Sequence, residues 1–538
     1  MVQLDSYYEN KMMHKMKAIV VFLTLLILYG CQESRNTIAK QAFSNFLEYG
    51  QYKVGFKTLF VSDVSRPAVP YADWSGKLYP EDEITEARNL PIHIWYPTNT
   101  ITELLPYRHF VNLIARKAQN EVSQKKDSLA EHIFAYQTNE LGRKTDLTDK
   151  EMEILLQLGT GSSLNAEPIQ QKFPLIVFPN GSSPANQSVM CEYWASHGYI
   201  VAAISLKGQF SSVIDASVKG LEVAVDDLEF ALQKLFELPN VDGNQVALVA
   251  NAIESSFCAG LASRNEKIKA LVSLEGGFLS RYEQDILSKT SFYDPQNLSL
   301  PILAIYAPHP NISPGYIDDL KYSERYFAHF PGMSEFHFLN YGVFEAYVPN
   351  IIGKPKGEVR KGFKVASEIT LWFLNAKLKS QAEQLTGLYT NGIPERYKPT
   401  VDSLFKKQGF DPPPNMAQLK NIFVSKGMDG IDSVYQSQLA QGDRKPFSMS
   451  FYNDFRNWLA WKKDPEYKNR LKLYQFAVES YPNLAENNYR LAYYLKLNGQ
   501  EETAMAYYEQ TKKILPLDST LTREQKKRIE HYMAEDLQ

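Results

Sequence analysis

The feature of this sequence that most constrains its fold is a series of short, continuous apolar runs separated by helical patterns. Runs of four or five residues rich in Val, Ile, Leu and Ala are typical of strands buried on both faces of a parallel sheet. They lie at 92–96, 175–178, 200–204, 246–249, 270–274 and 302–306. Between 220 and 238, leucines and valines recur at spacings of three and four, which indicates an amphipathic helix. This alternation predicts a doubly wound, mostly parallel α/β sheet.

Length, charge and cysteine content exclude several other classes. The 538 residues exceed the roughly 250–300 that one hydrophobic core holds, so more than one domain is expected. The net charge is −3, which provides no basic field for nucleic acid, and we predict no nucleic-acid partner. Three scattered cysteines and nine scattered histidines form no ligand spacing. We therefore predict no metal site and no cofactor.

The N-terminus has the pattern of an export signal. Lysines precede the apolar run 18–29, which is shorter than the ~20 residues that span a bilayer, so 1–30 is predicted to be a signal peptide. The segment 28–31 resembles the bacterial lipobox, which implies that Cys31 is lipidated and anchors the protein in a membrane. Gln32 then favours the outer membrane of a Gram-negative cell envelope. An uncleaved anchor helix and an incidental cysteine are the alternatives.

The region after the signal divides into a tether and a long α/β domain. Residues 31–52 are polar and form the predicted tether, and the domain is expected to cover 53–380. Its segment 98–172 is charged and rich in helical patterns, with a capping box at Thr148 and Glu151. Such an insertion forms either a lid over a pocket or a surface segment without a functional role.

Several short motifs of this domain occur in the order and spacing of one enzyme family. They are the segments 55–58, 63–67, 90–97, 173–184, 192–203 and 226–235. Together they resemble the platelet-activating-factor acetylhydrolase and dienelactone hydrolase branch of the α/β-hydrolases. The resemblance implies an α/β-hydrolase sheet and Ser-His-acid chemistry on carboxylic or acetyl esters. It also implies an oxyanion turn at Asn180 and Gly181, where the family has His-Gly.

The catalytic positions implied by this resemblance are degenerate. The family presents its serine in a Gly-x-Ser-x-Gly turn, and here Ala252 stands in place of the serine and Glu254 in place of the second glycine. Glu275 occupies the acid position, and Val343 or Phe344 stands where the histidine belongs. Because the mechanism needs both serine and imidazole, we predict an inactive pseudohydrolase. Its retained pocket is expected to bind a small acyl or glycan-type ligand or a protein partner.

An active hydrolase with a relocated nucleophile is the competing hypothesis. Ser255 or Ser256 would then attack the ester, with His309 or His337 as the base. The plainer interpretation is that these serines are ordinary helix residues and that His309 belongs to a turn. Cys258 is interpreted as a buried, unreactive thiol.

The last part of the chain, 385–538, has helical patterns in place of strand patterns. A proline-rich break lies at 411–415, and 486–516 matches a tetratricopeptide unit. The matching positions are Leu491, Ala492, Gly499, Ala504, Tyr508 and Pro516. A degenerate earlier unit ends at Pro482, and 522–525 begins a capping helix. This predicts an all-α tetratricopeptide-like domain that either braces the α/β domain or offers a groove to a protein partner.

Overall fold

The computed structural model describes residues 43, 46–66, 87–116, 122–143, 145–180, 183–208, 214–462, 464 and 467–537. The predicted signal peptide, Cys31 and Gly181 lie outside these residues. The chain divides into two compact units. The first contains the described residues up to Asp319 together with 324–407, and the second contains 320–323 and the residues from Gln408 onward. The division therefore falls after residue 407 and not near 380.

Within the described part of the chain, the first unit has an 11-stranded sheet. Its strands are β1 Lys53–Asp63, β2 Arg88–Thr98, β3 Leu104–Pro106, β4 Gly159–Leu164, β5 Phe173–Asn180, β6 Ile200–Ser205, β7 Val241–Asn251, β8 Ile268–Leu274, β9 Ile302–Tyr306, β10 Arg325–His329 and β11 Ser403–Lys407. Their order is β11-β10-β9-β8-β7-β5-β6-β2-β1-β4-β3. The strands β6, β5, β7, β8, β9 and β10 pair in parallel with one another.

All six predicted strands are present, which confirms a mostly parallel α/β sheet. The strands β1, β3, β4 and β10 were not predicted, and two further details differ from the sequence analysis. The run 92–96 lies in β2, which is antiparallel to both of its neighbours. A further strand, β11, lies beyond residue 385, where strands were expected to end. It pairs antiparallel with β10 and stacks Phe405 on Phe327 with 4.5 Å between the ring centroids.

The helices of the first unit cover the sheet and bury its apolar faces. They are α1 Arg108–Asn112, α2 Gln124–Asn139, α3 Asp149–Leu156, α4 Ser188–Ser196, α5 Val218–Phe236, α6 Glu254–Ala262, α7 Arg281–Ser288, α8 Tyr341–Phe344, α9 Val359–Leu378 and α10 Glu383–Thr390. The helix predicted between 220 and 238 is α5, and it buries Leu221, Leu228 and Leu232. The capping box of Thr148 and Glu151 begins α3, as predicted.

The segment 98–172 is integrated into the first unit. Its strand β4 pairs with β1, so the segment extends the sheet. The carboxylate of Glu192, on α4, is buried and accepts hydrogen bonds from Gly161 N (2.9 Å) and Ser162 Oγ (2.7 Å) on β4. Tyr107 packs its ring 4.9 Å from that of Phe344. The segment therefore shares the core of the unit.

An ion network joins two of the sequence motifs that carried the family resemblance. Asp227, on α5, is fully buried and accepts from Arg88 Nε and Nη2, each at 2.7 Å. Arg66 Nη1 lies 2.8 Å from the same carboxylate, and Arg66 Nε lies 2.6 Å from Asp63 Oδ2. Arg66 of motif 63–67 thus pairs with Asp227 of motif 226–235, and a buried carboxylate requires such partners.

The second unit is helical over its described residues. Its helices are α11 Met416–Ala440, which is interrupted at Gly427, α12 Met449–Trp461, α13 Lys468–Ser480, α14 Ala485–Leu497, α15 Glu501–Ile514 and α16 Arg523–Asp536. Ala504 and Tyr508 are buried in the core that α15 forms with α14. Asp518 Oδ2 accepts from Ala485 N (2.8 Å) at the start of α14. Among the helices that the structure describes, none has the length and hydrophobicity required to span a membrane.

Candidate functional site

The candidate site lies at the carboxyl end of the sheet beside β5. The chain passes from β5 to β6 on one side of β5 and then to β7 on the other side. Such a reversal opens a crevice beyond the strand ends, where ligands of open α/β sheets bind. The turn at residues 251–254, which we call the elbow, joins β7 to α6 at this place.

The backbone of the elbow is strained at Ala252, the residue that the resemblance places at the nucleophile position. Ala252 has a φ of +48°, a left-handed conformation that costs a residue with a Cβ roughly 1–2 kcal/mol. In α/β-hydrolases, the same sharp strand-to-helix turn exposes the catalytic serine. Here the structure places a methyl group at that position.

The segment after β8 lies directly against the elbow. A Cβ at Gly277 would come within 2.0 Å of the Ala252 carbonyl oxygen, so only glycine fits there. Asn251 pairs with Leu274 at the ends of β7 and β8, so Ala252 and Glu275 follow neighbouring strand ends, and Glu275 is 8% exposed with a φ of +71°. This is the residue that the resemblance assigns to the acid position.

The carboxyl group of Glu275 lies within electrostatic range of three other carboxyl groups, and we call the four groups the glutamate cluster. They are Glu254 at the start of α6, Glu275, Glu283 on α7, and Glu335 on a short turn after β10. Burial raises the pKa of Glu254 to about 8, and the charge of Glu335 adds to the rise. Burial and the charges of Glu335, Glu283 and Glu254 raise the pKa of Glu275 to about 8. Near pH 7 these two carboxyls are therefore mostly protonated and can donate hydrogen bonds.

The position expected for the catalytic histidine lies in the aromatic core. Val343 and Phe344 are both fully buried on α8. The Phe344 ring lies 4.9 Å from Tyr107 and 6.2 Å from Phe43. An aromatic core of this kind has no place for an imidazole that must exchange protons with a ligand.

The two histidines considered as alternative bases form no hydrogen bond with a serine of α6 among the described residues. His337 Nδ1 accepts from Ser334 N (3.0 Å), and its Nε2 has no hydrogen-bond partner among the described residues. Burial lowers the pKa of His337 to about 4, so the ring is neutral at physiological pH. His309 is exposed, and its Nδ1 accepts from Asn311 N (3.2 Å).

The alternative nucleophiles are inaccessible. Ser255 and Ser256 are both fully buried. Ser255 Oγ accepts from Ser273 Oγ (3.0 Å), and Ser256 Oγ has no hydrogen-bond partner among the described residues. Neither hydroxyl contacts an imidazole, although activation of a serine requires one within hydrogen-bond reach. Cys258 is buried, and burial raises the pKa of its thiol well above its usual value, so it is unreactive.

Two asparagine amides at neighbouring strand ends have unsatisfied donors. Asn180 ends β5, is 6% exposed and accepts from Ser205 Oγ (3.4 Å), but its Nδ2 has no partner in the described structure. Asn251 ends β7, is 7% exposed and likewise leaves its Nδ2 without a partner there. Buried donors without partners are uncommon, and a ligand oxygen would satisfy them.

Sequence reasoning did not identify Asn251, Glu283 or Glu335 as site residues. Asn251 directly follows an apolar strand run, so its position at a strand end could have indicated it. Glu283 lies on α7 and Glu335 on the short turn after β10, and no sequence signal brings them to Glu275. Across the described residues, no three or more His, Cys, Asp or Glu side chains are grouped so that they could hold a metal ion.

Comparison with known proteins gives a limited result. No protein-family model and no curated protein matches the chain. Among solved structures, it is similar to a ferulic acid esterase from Streptomyces cinnamoneus, with 18% sequence identity and a TM-score of 0.43. The likeness covers 61% of this chain and 91% of the esterase chain.

Proposed function

We propose that the first unit is an α/β-hydrolase-like domain that has lost Ser-His-acid catalysis and binds a small ligand at the elbow. The observation that carries this proposal is Ala252, which keeps the strained nucleophile turn at φ +48° without a nucleophile. A strained turn persists only where the surrounding structure enforces it. The burial of Val343 and Phe344 removes the second requirement of the mechanism, an imidazole beside the turn.

The chemistry of the site favours an uncharged ligand rich in oxygen atoms, such as an acyl or glycan-type molecule. The protonated carboxyls of Glu254 and Glu275 and the free amides of Asn180 and Asn251 supply donors to hydroxyl and carbonyl oxygens. The glutamate cluster itself contains no cation that could pair with an anionic ligand. A carboxylate or phosphate ligand that binds more tightly than its neutral analogue in calorimetric titrations would contradict this ligand class.

The whole chain is proposed to be a lipid-anchored envelope protein with a partner-binding tail. Cys31 would carry the anchor in the outer membrane of a Gram-negative bacterium, and the second unit would present tetratricopeptide-like helix pairs. The burial of Leu491, Ala492, Ala504 and Tyr508 between α14 and α15 supports the repeat assignment. The unit would recruit a protein to the membrane-held ligand domain.

The first prediction is that the unlipidated protein neither hydrolyses p-nitrophenyl acetate above background nor reacts with a fluorophosphonate probe. Loss of a complete catalytic triad costs roughly 10⁶ in rate. Ala252→Ser is the matched control. It returns a hydroxyl to the elbow but supplies no imidazole, so it should also remain unlabelled by the probe. Stoichiometric labelling that disappears in Ser255→Ala or Ser256→Ala would establish the relocated nucleophile instead.

The second prediction concerns the anchor. Cys31→Ala should abolish incorporation of a labelled fatty acid and move the protein from the membrane fraction to the soluble fraction, because acyl chains hold it there. Gln32→Ala keeps the cysteine and should remain in the membrane fraction. If Cys31→Ala still sediments with membranes after a high-pH wash, the anchor is not a lipid on this cysteine.

A further inference from the structure

A basic patch lies at the start of α9. Five cations fall between residues 354 and 364: Lys354, Lys356, Arg360, Lys361 and Lys364. Lys354, Lys356 and Arg360 are exposed, and no carboxylate pairs with them among the described residues. Lys361 and Lys364 have partners, since Lys361 lies 3.5 Å from Glu358 and Lys364 lies 3.0 Å from Glu48. The five cations outnumber the carboxylates beside them, which are Glu48, Glu345, Glu358 and Glu368, so this face has a positive potential.

The patch borders a groove of about 710 Å³ with an apolar wall. Phe46, Ala346, Pro355 and Val359 contribute to the apolar part of the lining. Glu345 also lines the groove, but its carboxylate is occupied because it accepts from Asn350 N (2.7 Å) and Ile351 N (3.2 Å). The face thus combines exposed cations with an apolar recess.

The N-terminal part of the chain joins the first unit at this face. Phe43 is 1% exposed and packs against Phe344 and Tyr347. Phe46 packs on Phe363, with the Arg360 guanidinium 4.6 Å from its ring centroid. Eleven residues lie between Cys31 and Phe43, which makes twelve steps along the chain, and a chain extends at most ~3.6 Å per step. A lipid on Cys31 would therefore keep the patch within roughly 43 Å of the membrane.

We propose that this face contacts an anionic lipid surface. The proposal rests on the lipid anchor proposed for Cys31. The acyl chains would hold the protein at the membrane, and the patch would determine which face of the first unit turns toward it. Lys354, Lys356 and Arg360 contact the phosphate headgroups. The apolar part of the groove contacts the first carbons of the acyl chains, next to the headgroups. The opposite charges of patch and lipid set the orientation.

The test uses the unacylated protein without the predicted signal peptide, from residue 31 onward and carrying Cys31→Ala, and measures cosedimentation with vesicles. Vesicles of phosphatidylcholine alone are compared with vesicles that also contain phosphatidylglycerol, at low and high salt. We expect binding to the anionic vesicles only, and binding should decrease with salt. Lys354→Gln, Lys356→Gln and Arg360→Gln together should reduce partitioning about a hundredfold, since each cation near an anionic surface contributes about 1 kcal/mol.

The control removes three exposed lysines elsewhere on the same unit, Lys53, Lys125 and Lys172, and leaves the patch intact. It has the same change in net charge and should bind the anionic vesicles nearly as well as the parent. Lys354→Gln with Lys356→Gln retains the contact of Arg360 with Phe46 and should still lose about thirtyfold.

Three results would overturn the proposal: no binding of the parent to anionic vesicles, equal loss in patch and control variants, or binding to polyglutamate but not to vesicles. The last result would assign the patch to an acidic protein partner. Because the assay uses unacylated protein, its outcome is independent of whether Cys31 carries a lipid in cells.

Discussion

Replacing Glu275 with glutamine is expected to stabilise the folded first unit at pH 8 and to leave its stability nearly unchanged below pH 4.5. In the folded protein the pKa of Glu275 is raised to about 8 from an ordinary value of 4.5, mainly by burial. Below pH 4.5 the group is protonated in both states. Between pH 4.5 and 8 the unfolded chain releases this proton and the folded chain keeps it, so the free energy of unfolding falls as pH rises. Glutamine at this position does not titrate, so this decrease in the free energy of unfolding does not occur.

The expected gain from Glu275→Gln at pH 8 is on the order of 4 kcal/mol, since the pKa rises from 4.5 to about 8 and each pKa unit corresponds to about 1.4 kcal/mol. Glutamine has the same backbone cost at φ +71°, so the strain of the turn is unchanged. Hydrogen exchange of β8 at several pH values measures the effect. The control is Glu266→Gln at an exposed carboxyl of the same unit, which should not alter the pH profile. An equal change in the free energy of unfolding of both variants at all pH values would contradict the raised pKa of Glu275.

This expected cost bears on function. The glutamate cluster lowers stability near neutral pH, so it is not explained by the needs of folding. The same groups lie at the strand ends beside Ala252, where α/β sheets place their ligands. Costly groups at such a place are typical of functional sites, which agrees with the proposal that the site still binds a ligand after the loss of catalytic residues.

Five of the six parallel strands were predictable because they are buried on both faces and continuously apolar, whereas β10 begins with Arg325 and ends with His329 and was not predicted. The strands at the flanks were not. β1 mixes lysine and polar residues with apolar ones, and β11 has a single short apolar pair, Leu404 and Phe405. Only pairing with a neighbouring strand orders such segments, and pairing cannot be read from local sequence.

The candidate site was predictable only where strand ends fix the position of a residue. Ala252 and Glu275 directly follow apolar strands, so their places follow from the fold. Val343 and Phe344 were aligned across a loop without a strand or helix to fix its register, and the structure packs them into the core. Glu335 lies 60 residues from Glu275 along the chain, and only the tertiary fold brings the two together.

The boundary near residue 380 also shows what local patterns omit. Leu385 and Leu388, on α10, are buried in the core of the first unit, and β11 completes the edge of its sheet. The sequence pattern changes to a helical one at α10, although α10 and β11 still belong to the first unit. Packing, rather than a change of pattern, sets the boundary after residue 407.

Ala504→Glu is expected to unfold α14 to α16 locally while the first unit stays folded. Ala504 is 1% exposed in the core that α15 forms with α14. A glutamate there would be a buried charge without a partner, which costs on the order of 3–5 kcal/mol. The loss should extend to α16, because Asp536 accepts from Tyr489 Oη (3.1 Å) on α14 and from Tyr508 Oη (3.3 Å) on α15.

Hydrogen exchange measured by mass spectrometry on the full chain tests this expectation. Peptides from all three helices should lose protection in Ala504→Glu, and peptides from β5, β7 and β8 should not change. Ala506→Glu is the matched control, because Ala506 is exposed on the same helix and a charge there stays in water. A partner recruited by the tail should be lost from pull-downs with Ala504→Glu and retained with Ala506→Glu. Equal exchange in the two variants would mean that Ala504 does not pack the helix pair, and an identical set of partners would remove the recruitment proposal.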